Sequence, residues 1–244
     1  MTIEQLREQL RGLRLQRRMA DARDLIRAQP GFESSPALQQ LHHDHEDFWW
    51  QPMPGRRMTL RRRDEGDAAF VRACWADAGF MHKFNRVARP LPADDEALRG
   101  ILARERAAIF GESKALHWTI DTRGGPAGFV SATDYTPGHR RCEFLIGVLN
   151  RPASPVPVEA AREAIAFLRD RAGVERLTAY IYADNGYATR LAVKFGFERE
   201  GVLRGYLREP DGSRSDLVVA GMLLGRRRAP GTPRAARRAA RQMG

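Results

Sequence analysis

Residues 183–197 read Ala-Asp-Asn-Gly-Tyr-Ala-Thr-Arg-Leu-Ala-Val-Lys-Phe-Gly-Phe and run on as Glu-Arg-Glu-Gly-Val-Leu-Arg at 198–204. Asn185 stands where an apolar strand over 176–182 gives way to a helix, so its side chain can cap that helix or reach a ligand held at the strand ends. Gly196 closes the helix just past its last turn, a position that favours glycine because the backbone there turns left-handed. Phe197 restarts the sheet with a core anchor. One strand, one helix and the start of a second strand are therefore fixed within about two dozen residues.

Outward from this point, strands and helices alternate. Residues 58–62 read as a strand, 66–78 as a helix carrying Phe70, Cys74 and Trp75, and 94–110 as a second helix. Three strands follow at 116–121, 128–134 and 141–149, joined by Arg123-Gly124-Gly125-Pro126 and Pro137-Gly138, both turn sequences. A helix at 156–172 precedes the strand at 176–182, and a last strand pair, 197–204 and 216–224, is joined across Pro210-Asp211-Gly212. The fold class is α/β (α+β), a mixed central sheet flanked by helices.

Before that domain (58–225), residues 1–57 form a small N-terminal helical extension. Leu6, Leu10 and Leu13 have the spacing of an amphipathic helix, 20–28 is a second helix stopped by Pro30-Gly31, and 35–48 is a third with Ser35-Pro36 at its start. Trp49 and Trp50 are expected to pack the extension on the main domain. Residues 226–244, rich in Arg, Ala, Pro and Gly, form a basic tail expected to be disordered.

Composition narrows the functional classes. The chain has 244 residues, 43% of them hydrophobic, with a formal net charge of +11. No apolar run approaches the roughly 20 residues of a membrane span, so no membrane partner is expected. The first residues mix both charge signs and lack the apolar stretch of a secretory signal. Two cysteines, Cys74 and Cys142, are too few for a disulfide scaffold, and a cytoplasmic location is expected. Much of the positive charge lies in the tail, as solvated runs usually do, so nucleic acid is not an expected partner. A basic chain also suits a polyanionic cofactor.

Residues 183–204 resemble the signature N-x-x-(S/A)-x-x-(L/V)-x-x-K-x-G-F-x-x-E-G-x-L-R of the GNAT superfamily of N-acetyltransferases, most nearly its branch of ribosomal-protein N-terminal acetyltransferases. Asp216, ahead of a hydrophobic strand containing Met222, fits the same branch. The resemblance spans about 165 residues and is more specific in its second half. It implies acetyl-CoA, or another acyl-CoA, as co-substrate and a primary amine as acceptor: a protein N-terminus, an amino sugar or a small metabolite. It also implies that Asn185 contacts the pantetheine arm where two parallel strands splay apart.

The phosphate loop departs from the family pattern (Q/R)-x-x-G-x-(G/A). Here 150–160 reads Asn-Arg-Pro-Ala-Ser-Pro-Val-Pro-Val-Glu-Ala. Ala153 and Pro155 replace the glycines, and Pro155 and Pro157 offer no N–H. Phosphate binding is expected to lean on the N–H groups of Ser154, Val156 and Val158, or on Arg151 and Arg190. The family's general-acid tyrosine aligns with Ala192. Glu143 is the candidate base; its alternative is a surface glutamate paired with Arg140 or Arg141. The N–H of Leu149 or Val148 is the expected oxyanion donor, and Tyr187 and Tyr206 are alternative acids.

The acceptor site is expected between Trp75–Asn85 and residues 203–216, with Trp75, Phe80, His82, Phe84 and Tyr206 lining it. His42-His43-Asp44-His45-Glu46 lacks metal-site spacing, and no metal is expected. Two other readings stay open: a longer acyl-CoA or acyl carrier protein as donor, and a binding module that kept the fold but not the cofactor. A monomer or homodimer fits either.

Overall fold

A computed structural model of the chain describes residues 2–86, 88–149, 155–209 and 211–225. Arg151, Ser154 and the basic tail lie outside these residues. The helical extension consists of α1 (Ile3–Leu15), α2 (Met19–Arg27) and α3 (Pro36–His43). Thr2 caps α1 in a reciprocal capping box with Gln5, and Ser35 caps α3 ahead of its first-turn proline. The third helix stops at His43, short of the expected 48, and Trp49 closes a separate 3₁₀ turn.

The remaining elements are β1 (Met53–Pro54), β2 (Met58–Arg62), α4 (Ala68–Ala76), α5 (Ala78–Phe84), α6 (Asp95–Ala107), α7 (Phe110–Ser113), β3 (Leu116–Thr122), β4 (Gly125–Thr136), β5 (Arg141–Val148), α8 (Val156–Asp170), β6 (Arg176–Tyr182), α9 (Gly186–Phe195), β7 (Glu198–Arg208) and β8 (Arg214–Leu223). Among the described residues they build an eight-stranded sheet in the order β1-β2-β3-β4-β5-β6-β8-β7. Only β5 and β6 pair in parallel. The helix read at 66–78 is broken at Asp77, whose extended backbone ends α4 and whose carboxylate accepts the Phe80 N–H to start α5.

Alternation along the strands sorts two cores. Trp118, Ile120, Val130, Ala132 and Phe144 face α8 and α9, while Phe129 faces α4, α5 and α6. The extension docks through the carbonyls that end α6, groups a helix cannot satisfy within itself. From the extension, Arg14 Nε donates to the carbonyl of Ala107 and Trp50 Nε1 to that of Arg106, while Arg62 Nη2 of β2 donates to those of Glu105, Arg106 and Ala108, all within 3.1 Å. Trp49 sits in the main core, 6% exposed. The pair β1–β2 also carries the extension into the sheet.

Candidate active site

The parallel pair is short. Register runs Arg141↔Arg176, Cys142↔Leu177 and Glu143↔Thr178, and stops. Beyond Glu143, β5 stays with β4 to Val148 while β6 stays with β8 to Tyr182, so the sheet splits. A cleft of about 540 Å³ fills the split, lined by Phe144–Leu149 on one side and Ala179–Ile181 on the other, with Asn185, Tyr187, Leu191 and Ala192 of the α9 region closing it. Its walls are mostly apolar, as a slot for an extended, weakly polar chain should be.

Backbone donors follow from register. The Leu149 N–H donates to the Ala127 carbonyl at 2.8 Å, so it is spent on β4. In an antiparallel ladder the intervening residues direct their N–H groups to the other side. For Ile146 and Val148 that side is the opening, which leaves Val148 of the two expected oxyanion donors. Leu149 lines the cleft with its N–H already taken by Ala127.

Gly147 matters through what it lacks. A Cβ there would lie 2.5 Å from Phe84 Cδ2 and 3.1 Å from the Phe80 ring. Those two rings, one α5 turn apart, stack at 5.1 Å and press on the strand. Both line this cleft and neither lines the second cleft described below. Gly147→Ala is expected to push Phe84 into the slot, costing about 1–3 kcal/mol of stability and weakening the donor's apparent affinity. Adding Phe84→Leu should restore binding, which a donor titration of the single and double variants checks.

Asn185 Oδ1 accepts the Ala188 N–H as the α9 cap, and its Nδ2 reaches the Lys83 carbonyl at 3.4 Å. The cap therefore also ties α9 to α5 across the cleft mouth. Tyr187 and Tyr180 are the two tyrosines lining the cleft, each 45% exposed; Tyr180 was not singled out from the sequence. Val156 is buried in the core, and Pro157 rather than Val158 reaches the cleft wall. Arg190 is exposed, with Nη1 near Gly186 at the start of α9.

Glu143 is the last paired residue before the split. Arg140 pairs with Glu175 at 3.0 Å and Arg141 with Asp134 at 2.9 Å, so neither of the arginines weighed as its partner takes it. Thr133 Oγ1 donates to Glu143 Oε2 at 3.4 Å. Burial pushes the Glu143 carboxyl up from the usual carboxylate range. A desolvated carboxylate with a single weak hydrogen-bond donor is suited to taking a proton.

A second cleft, about 620 Å³, lies across α5 from the first and is lined by Trp75, His82, Arg86, Arg89, Arg208 and Glu209, among others. Arg86 holds its wall together. Its Nη1 donates to Glu209 at 2.9 Å and its Nη2 to Asp184 at 2.6 Å, its backbone N–H donates to the Tyr182 hydroxyl at 2.7 Å, and its guanidinium lies 4.2 Å from that ring's centroid. His82 joins through Asp184 at 3.2 Å. Of the five residues read as acceptor-binding, Trp75 and His82 meet here. Tyr206 lines neither cleft and is 60% exposed, because β7 shifts register between Leu203 and Leu207 and such a bulge re-aims side chains.

The His42–Glu46 run is occupied with packing. Arg14 Nη1 donates to His45 Nε2 at 2.8 Å and His45 Nδ1 donates to the Leu41 carbonyl at 2.7 Å. Burial lowers the His45 pKa to about 4, which keeps the ring neutral. No group of three or more potential metal ligands occurs among the described residues. Both cysteines are buried, with thiol pKa values pushed up to about 12 by burial. No helix among the described residues is long and apolar enough to cross a membrane.

Comparison with known proteins agrees with this geometry. The family model of the acetyltransferase (GNAT) domain matches residues 57–198. A protein of Bacillus subtilis (strain 168), named the uncharacterized N-acetyltransferase YoaA, is 25% identical over 157 residues, 62% of this chain and 85% of the relative. Two solved structures share the fold at low identity. Spermidine N-acetyltransferase from Vibrio cholerae, in complex with CoA and spermine, is 16% identical at a TM-score of 0.60, over 70% of this chain and 97% of the other. Ribosomal-protein-S5-alanine acetyltransferase from Vibrio fischeri is 13% identical at 0.60, over 71% and 97%. With more than half of its length matched by the family model, this chain belongs to the GNAT acetyltransferase family.

Proposed function

We propose that the protein transfers an acetyl group from acetyl-CoA to a primary amine by direct attack, in the cytoplasm, with the donor in the β5–β6 slot and the amine entering from the Arg86 side. The observation that carries this reading is the end of β5–β6 pairing at Glu143, beyond which the slot opens from Phe144 onward; the Glu143 carboxylate stands at its closed end and lines neither cleft. When bound, the thioester supplies an activated acyl carbon and a thiolate leaving group. The residues of the chain do the rest. The Val148 N–H, facing the opening, is placed to polarise the acyl oxygen. Glu143, directly or through water, takes the proton the amine must lose. Tyr187 and Tyr180 are the phenols that can return a proton to the departing sulfur. Asn185 holds the amide-bearing arm at the mouth, and beyond it the phosphates fall to Arg190, Val158 and the start of α8.

Asn185→Ala tests the donor slot. Loss of a helix cap costs about 1 kcal/mol. A lost ligand contact appears instead as a weaker apparent affinity for acetyl-CoA, expected to be about tenfold, in isothermal titration of the folded variant. Unchanged titration would leave Asn185 a cap only. Thiol release from acetyl-CoA with a panel of amines tests the activity itself.

A further inference from the structure

We propose that the acceptor is the N-terminal amine of a peptide segment with acidic side chains after its first residue, recognised by Arg89 and Arg208, which both line the second cleft; this rests on the acetyltransferase reading above. Three arginines line that cleft, Arg86, Arg89 and Arg208, against one carboxylate, Glu209. The carboxylates a cationic acceptor would seek are already used. Arg86 takes Glu209 and Asp184 at 2.9 and 2.6 Å, and Ser215 Oγ also donates to Glu209 at 2.5 Å. Both acids are held below the usual carboxylate range, Asp184 by its hydrogen bond to Arg86 against the cost of burial, and Glu209 by those to Ser215 and Arg86. They stay ionised and stay committed to Arg86.

Arg89 and Arg208 stand differently. Both are exposed, and neither forms an ion pair among the described residues. Each is positioned by its backbone rather than by its charge. The Arg89 carbonyl accepts the Trp75 Nε1–H at 3.1 Å, which fixes the segment after α5 against the indole. Arg208 ends β7, paired in register with Arg214, whose Nη1 is turned away to the Gly205 carbonyl at 2.7 Å. Two arginines therefore line the cleft without a carboxylate partner among the described residues, and a guanidinium free of such a partner can bind a carboxylate bidentately. A polyamine entering here would set its distal ammoniums against these arginines, and like charges brought together oppose binding. Trp75 and Pro90 add apolar surface to the lining, and a cleft of about 620 Å³ holds more than a single amino acid. An N-terminal peptide segment with acidic side chains after its first residue fits this best; a free amino dicarboxylate shares its chemistry.

The test measures thiol release from acetyl-CoA with four acceptors: a glycine-led pentapeptide with glutamates at positions two to four, the same peptide with glutamines or with arginines there, and free glutamate. The acidic peptide is expected to exceed the arginine peptide by at least about tenfold in kcat/KM. That advantage should shrink with added salt and vanish or reverse in Arg89→Glu, Arg208→Glu, with the glutamine peptide little changed. Free glutamate outpacing the acidic peptide would assign the cleft to a small dicarboxylate amine and overturn the peptide assignment. Equal rates for the acidic and arginine peptides, or a preference untouched by charge reversal, would overturn the proposal and leave the acetyltransferase reading standing. No thiol release with any of the four, from a protein that binds acetyl-CoA, would overturn this proposal, and only silence across the wider amine panel would remove the acetyltransferase reading with it.

Discussion

Arg14→Met is expected to lower the stability of the whole domain by about 3 kcal/mol, as removal of one partner from a buried charged network does. The side chain is 1% exposed and meets three elements at once. Its Nε satisfies the Ala107 carbonyl at 2.8 Å, its Nη1 the His45 ring at 2.8 Å and its Nη2 the Glu112 carboxylate at 2.6 Å. Methionine keeps most of the stem's packing and leaves a helix-end carbonyl and a buried ring nitrogen without a donor, each costing about 1–3 kcal/mol. Urea unfolding at pH 7.5 reads the loss as a lower midpoint at unchanged slope; a change below about 1 kcal/mol would mean the extension is held by its apolar contacts alone. The same socket predicts a pH dependence. His45 must stay neutral to accept from Arg14, and burial lowers its pKa from 6.5 to about 4. A histidine whose folded pKa is depressed contributes stability that is present above the unfolded value and lost as pH falls towards the folded one. Stability should therefore drop between pH 6.5 and about 4, by about 3 kcal/mol from His45. Half-buried His117, also pushed well below its ordinary value by desolvation, acts in the same direction. His45→Gln, which can accept from Arg14 without titrating, should flatten the His45 part of this decline.

What the sequence showed and what it hid divide along contact range. The stretch at 183–204 was legible because its signals are local: an apolar strand, an Asn cap, a helix of ten residues and a left-handed Gly196 at φ 97°. The branch point between β5 and β6 was legible because the signature fixes which strands flank Asn185. Asp77 was missed because Ala-Asp-Ala carries no breaker; only its side-chain bond to Phe80 shows that two helices meet there. The Leu149 N–H was misplaced as a donor to the opening because its direction depends on register with β4, 22 residues back at Ala127. Phe80 and Phe84 line the first cleft rather than the second because Gly147 lets α5 approach β5. The Arg86–Asp184 bond joins residues 98 apart and the Arg14–Ala107 bond residues 93 apart. Periodicity within either segment contains no trace of such pairs, although Asp184 stands directly before Asn185 in the decisive stretch.

Glu143→Gln is expected to lower kcat by about 100-fold, the lower end of what a positioned general base contributes, while leaving the fold intact. The substitution is isosteric, and the amide oxygen can still accept from Thr133 Oγ1, so the β4–β5 ladder has no reason to change. Stability should hold or rise slightly at pH 7.5. Burial raises the folded pKa of Glu143, so its protonated form favours folding, and the contribution present at low pH is lost as pH rises through the folded value. Glutamine removes that cost. The kinetic signature is separate. In the wild type, kcat/KM should climb with pH as Glu143 ionises at its raised pKa and then level off. Without the carboxylate, the amine reaches the acyl carbon neutral only through bulk deprotonation, and that limb disappears from the profile. A pH series of thiol-release rates for both proteins, with circular dichroism on the same samples, makes the comparison. Wild-type rates across neutral and alkaline pH in the variant would mean that solvent alone deprotonates the amine, and Glu143 would then be a desolvated strand residue whose hydrogen bond to Thr133 is its whole role.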